Sequence, residues 1–127
     1  MITEETRRAL PELPVRDDVA ALAAVGGDAD LAQELLETLV ATLPEEIEAL
    51  RASYAEEDWP ALAEHAHQMR GATRYCGVTA LDDAAETLQR TATIGDRELI
   101  HRAFAQVESE SERLLRTLGG RQPSLPG

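Results

Sequence analysis

Apolar residues recur every three or four positions along most of this chain. That spacing lines one face of an α-helix. Leu62, Ala66, Met69, Thr73 and Cys76 form one such stripe between Asp58 and Gly77. Asp58 offers an N-cap carboxylate to the orphan N–H groups of the first turn. Pro60 fits that turn because its missing N–H costs nothing there, and Gly77 suits the left-handed C′ position that ends a helix.

The flanking segments carry similar stripes. Asp17 and Asp18 can cap a short helix over Val19–Val25, stopped by Gly26-Gly27. Val19, Leu22 and Val25 give it an apolar edge, expected to cover one end of a bundle. Asp28 or Asp30 opens a helix to about Leu43, with Leu31, Leu35, Leu36, Leu39, Val40 and Leu43 on a broad core face. Pro44 is expected to open a separate helix after a sharp bend, a kinked continuation being the alternative. Glu45, Glu46 and Glu48 suit its positive N-terminus, and Ile47, Leu50 and Tyr54 its buried edge. Thr79-Ala80-Leu81-Asp82 reads as a capping box with Asp in the acidic position. The helix it starts runs to about Thr91, with Leu81, Ala84, Ala85 and Leu88 at helical spacing. A last helix, about Arg97 to Leu118, precedes Gly119-Gly120.

No segment alternates with the period of a strand. The expected fold is all-α: an antiparallel up-down four-helix bundle with one or more short additional helices on its N-terminal side. Residues 1–14 read as a linker or lead-in, 15–118 as the bundle and 119–127 as a disordered tail.

Composition supports one globular domain. The chain has 127 residues, 43% of them hydrophobic, mainly Leu and Ala, which favour helices. Its net charge of −12, from 24 acidic and 12 basic residues, would repel phosphate backbones, so nucleic-acid binding is not expected. The single cysteine, Cys76, excludes an internal disulfide, and its place on the stripe predicts a buried thiol. Residues 1–10 are polar and charged, unlike a signal peptide, and no stretch approaches the ~18 apolar residues of a membrane span. A cytoplasmic setting is therefore expected, without membrane contact by this chain.

Candidate chemistry concentrates on the helix that starts at Asp58. At ~100° per residue, His67 falls about 140° from Leu62, on the side away from the stripe. Ala63 and Gly71 lie one turn to either side of it, and Arg70 and Arg74 share its face. A glycine inside a helix costs about 1 kcal/mol relative to alanine, so Gly71 suggests a close approach by something else. The two arginines run against the overall acidity. A solvated face with an idle histidine is the bland alternative.

Other chemistry is missing. His65 and His67, two apart on one helix, point about 200° apart and cannot chelate one ion. His65 reads as a packed or capping residue. His101 has no acidic or histidine partner at i+3 or i+4. No metalloprotease pattern, cysteine cluster, phosphate-binding glycine loop or nucleophile elbow occurs. No metal site, and no self-contained enzyme, is expected.

The run His67-Gln68-Met69-Arg70-Gly71 resembles the H-x-[LM]-[KR]-G motif of histidine-containing phosphotransfer (HPt) domains. Gly77, Leu81 and Gln89 follow His67 by ten, fourteen and twenty-two residues, in register with family landmarks. The resemblance covers roughly residues 15–118. D-L-A-Q-E-L-L, L-P-E-E-I and G-A-T-R-Y-C-G-V narrow it to the C-terminal HPt domain of BarA/GacS-type hybrid sensor kinases.

The resemblance implies a phosphorelay intermediate. His67 would take a phosphoryl group from an aspartyl-phosphate receiver domain and pass it to a response-regulator receiver. Arg70 would neutralise phosphate oxygens where many members have Lys. Gln89 would hold the non-attacking ring nitrogen. Gly71 and Ala63, with parts of the preceding short helix, would meet the partner, and Arg74 is a weaker docking candidate. Mg²⁺ would reside on the receiver, so this chain would need no cofactor. A monomer is expected, free-standing or as the cytoplasmic end of a membrane-bound sensor kinase. A non-phosphorylated docking module for a regulator is the competing reading. It needs the exposed face but not His67.

Overall fold

The computed structural model describes residues 13–119, mostly helical, with no strand among them. Five α-helices follow one another: α1 (Asp18–Ala24), α2 (Ala29–Ala55), α3 (Trp59–Thr73), α4 (Thr79–Ile94) and α5 (Arg97–Leu114). A short π-turn, Leu115–Gly119, continues α5. Of the expected lead-in over 1–14 and the expected tail over 119–127, residues 1–12 and 120–127 lie outside the described residues.

Local chemistry starts the helices. The side chains of Asp17, Asp28, Asp58 and Asp96 each accept a backbone N–H three residues on, at the starts of α1, α2, α3 and α5. α4 has no such cap. Val78 occupies its N-cap position, and the expected capping box does not form. Thr79 donates its hydroxyl to Pro14 O instead, and Asp82 turns to α3. The tertiary partners displaced the local one.

Pro44 does not start a new helix. α2 runs 27 residues through it, so the sharp bend is overturned in favour of the continuous alternative. Pro44 sits on the exposed side. Leu39, Leu43, Ile47 and Leu50 keep one buried stripe on both sides of it. Burying that stripe offsets the backbone hydrogen bond that proline cannot make.

Helices α2 to α5 form the bundle. Cross-helix partners fall in one index as they rise in the other: 51 with 108 and 54 with 101 between α2 and α5, 67 with 89 and 73 with 82 between α3 and α4. Both pairs therefore run antiparallel, as an up-down bundle requires. The core is Leu-rich, with Leu43, Leu62, Ala66, Ala85, Leu88, Ile100 and Val107 at 0% exposure. The stripe of α3 is buried as its spacing predicts, and burial pushes the Cys76 thiol up. Tyr54 stacks on Phe104 at a 4.2 Å centroid distance and closes the α2–α5 side.

α1 differs from its expected role. Val19 is 79% exposed and Leu22 39%, so its apolar edge faces outward; Ala21, at 1%, is the residue that packs. The reason lies in the turn after α3. Helix α3 ends at Thr73, earlier than a C′ at Gly77 implies, and Arg74–Gly77 form a turn. Asp17 donates its N–H to Gly77 O at 2.6 Å, so α1 lies flat against this turn on its small residues. Gly77 has φ 70°, and a Cβ there would sit 2.5 Å from Asp17 O and 2.8 Å from Ala21 Cβ.

Gly77→Ala should therefore combine backbone strain with a clash that only movement of α1 can relieve. The expected loss is about 2–4 kcal/mol in urea denaturation. A loss below about 0.5 kcal/mol would mean that α1 is not held against this turn.

Candidate functional site

The α3–α4 packing builds the site. Because Leu62, Ala66, Met69 and Thr73 point inward, His67 must point outward, and it is exposed. Across the interface, Leu81, Ala84, Ala85 and Leu88 anchor α4 and turn Gln89 toward α3. Gln89 Nε2 lies 3.3 Å from His67 Nδ1. One face of the imidazole edge is thus tied to α4, and the other ring nitrogen, Nε2, is left for solvent or a partner.

Ala63 is half-buried and Gly71 exposed on the same side of α3. Nothing lies within 4 Å of where a Gly71 Cβ would stand. The fold itself therefore has no steric need for glycine here. Arg74 is exposed at the C-cap of α3.

Arg70 departs from a simple solvent-facing arginine. Its Nε donates to Asp82 Oδ1 at 3.2 Å and its Nη2 to Asp82 Oδ2 at 3.3 Å, a two-pronged ion pair. Thr73 Oγ1 donates to the same Asp82 Oδ1 at 2.7 Å. The side chains of Arg70 and Asp82 are only 17% and 23% exposed. The hydrogen bond to Asp82 pushes the guanidinium above its ordinary value against the opposing effect of burial, and the charges of Asp82, Glu86 and Asp83 add to it. A groove of about 370 Å³ follows the α3–α4 boundary, lined by Arg70, Glu86, Gln89, Arg90, Thr93 and Ile94.

Asp82 is the residue that sequence reasoning missed, having assigned it to a cap. The signal was present: if 67 faces 89 across antiparallel helices, Arg70 and Thr73 face the first turns of α4. Asp82, Asp83 and Glu86 are the acids there.

The other histidines lie elsewhere. His65 lines a separate groove between α2 and α3 with Glu45, Glu46 and Gln68. His101 Nδ1 meets the Tyr54 hydroxyl at 2.5 Å. No group of three or more His, Cys, Asp or Glu side chains gathers as a metal site among the described residues. No described helix is long and apolar enough to cross a membrane.

Comparison with known proteins identifies the family. Residues 34–117 match the Hpt domain family, and the chain belongs to that family. It is 41% identical over 97 residues to the sensor histidine kinase GacS of Pseudomonas protegens, a match covering 76% of this chain and 10% of that protein. It is 38% identical over 103 residues to the sensor protein GacS of Pseudomonas syringae pv. syringae, covering 76% of this chain and 11% of the relative. The chain thus spans about a tenth of the length of these curated relatives. In fold it is similar to the crystal structure of the HPT domain from a hybrid histidine kinase of Shewanella. That match has a TM-score of 0.66 at 18% identity, over 85% of this chain and 97% of the other.

Gly71→Ala tests whether the fold needs this glycine. With open space around it, alanine should raise stability by about 0.5–1 kcal/mol in urea denaturation through helix propensity alone. A loss of stability would show that an intramolecular contact depends on the glycine.

Proposed function

We propose that this chain is the phosphoryl carrier of a two-component phosphorelay. His67 accepts a phosphoryl group from the aspartyl-phosphate of a receiver domain and passes it to the receiver aspartate of a response regulator. The observation that carries this reading is an exposed imidazole with one nitrogen held by Gln89, on a bundle of the Hpt family. The likeness to GacS supports placing it as the phosphotransfer domain of a hybrid sensor kinase.

The attacking atom is Nε2, the nitrogen away from Gln89. A neutral imidazole has one N–H and one lone pair. For Nε2 to carry the lone pair, Nδ1 carries the hydrogen and donates it to Gln89 Oε1. The amide turned over by 180° fills the same space and makes that bond. The Nε2 lone pair attacks phosphorus, the P–N bond forms, and the P–O bond to the donor aspartate breaks. The carboxylate leaves with the electron pair, and the ring keeps its Nδ1 hydrogen as a phosphorylated imidazolium. Onward transfer reverses these steps with a second carboxylate. Positioning and charge neutralisation supply the catalysis, with little covalent work left to the protein.

Arg70, one helical turn from His67, supplies positive charge to phosphoryl oxygens. Gly71 lets the receiver surface approach, and Ala63, Arg74 and the outward-facing Val19 and Leu22 of α1 contribute docking area. Mg²⁺ belongs to the receiver, and this chain holds no cofactor. It acts as a carrier rather than an enzyme, as a monomer and on the cytoplasmic side of its parent kinase.

Phosphoryl transfer from a phosphorylated receiver domain tests this directly. The label on the wild-type chain should be acid-labile and base-stable, and His67→Gln should lose it entirely while still binding the receiver. Gly71→Ala should accept the label several-fold more slowly despite its higher stability. An unlabelled wild-type chain that binds receivers would favour the docking-module reading.

A further inference from the structure

The arginine that would face the phosphoryl group is already occupied. Both prongs of the Arg70–Asp82 pair come from an aspartate that Thr73 also anchors. Thr73 is 1% exposed, so that anchor is a core residue and holds Asp82 in place. Asp83 and Glu86 also face the guanidinium from α4, whereas Gln89, one to two turns further along α4, marks the level of His67. Arg70 is drawn toward the start of α4, about two turns before Gln89.

We infer that Asp82 sets how tightly the phosphoryl group is held on His67, by competing with it for Arg70. This rests on the carrier function proposed for His67. In the unphosphorylated chain the guanidinium is satisfied by Asp82. A phosphoryl group on Nε2 must draw Arg70 off that carboxylate or share it. This competition raises the free energy of the phosphorylated carrier relative to the unphosphorylated one. A carrier that binds its cargo less firmly passes it on more readily. Arginine suits this arrangement better than lysine, because its planar fork matches the carboxylate and is held by two bonds rather than one.

Asp82 is thus a positioning residue that acts through Arg70 and never touches the reacting atoms. The readout is the equilibrium partition of label between a phosphorylated receiver domain and this chain. It is measured for wild type, Asp82→Asn, Arg70→Ala and the double variant, with thermal unfolding of each. Asp82→Asn should shift the partition toward phosphorylated His67 by about threefold to tenfold, the range for a partly exposed charged pair. In the Arg70→Ala background the same substitution should shift it by less than about twofold. Thr73→Val, which removes only the anchoring hydroxyl, should shift the partition in the same direction by a smaller factor. It serves in place of Asp82→Asn if that variant unfolds. A partition unchanged in both Asp82→Asn and Thr73→Val, or moved toward the receiver, would overturn the inference. So would an equal shift with and without Arg70. Failure of the wild-type chain to take label at all would instead overturn the carrier function itself.

Discussion

The register between α3 and α4 is the constraint on which the site depends. Two antiparallel helices with Leu62, Ala66, Met69 and Thr73 on one side and Leu81, Ala84, Ala85 and Leu88 on the other interlock in one alignment. A slip of one residue would rotate a polar side chain into the core on each helix. The same alignment brings Gln89 to His67 and Asp82 to Arg70 and Thr73. The apolar contacts supply the stability and the polar contacts inherit their geometry. None of the polar pairs is buried enough to fix the helices by itself.

Two kinds of glycine bracket this interface and serve opposite ends. Gly77 answers an internal demand, since α1 presses on it and its backbone is left-handed. Gly71 answers no demand from within the described chain. A residue that lowers helix stability without any internal benefit supports the proposed close approach of a receiver to His67. Exposed Val19 and Leu22 follow the same logic. The helix that carries them is held by Ala21 and by backbone bonds, which leaves its larger side chains exposed.

Much of this was legible in the sequence because it follows from periodicity. The stripe of α3 put His67 outside, and Asp17, Asp28 and Asp58 were among the aspartates that marked where helices begin. The resemblance then supplied Gln89, which spacing alone could not separate from an ordinary exposed residue. Three features were misread for physical reasons. Pro44 is a helix breaker locally, but a continuous buried stripe on both sides carries α2 through it. Asp82 has the sequence position of a cap, but Arg70 and Thr73 offer it stronger partners across the interface. The valine and leucine of α1 look like a core edge, but a seven-residue helix lying on a glycine turn buries only its small face. In each case a tertiary contact outweighed a local preference.

The most direct test of the account is where the phosphorus sits. Nitrogen NMR of the imidazole rings in the chain phosphorylated by a receiver domain distinguishes the two ring positions and the three histidines. The account predicts phosphorus on Nε2 of His67, with Nδ1 still protonated and bonded to Gln89. Phosphorus on Nδ1, or on His65 or His101, would contradict it.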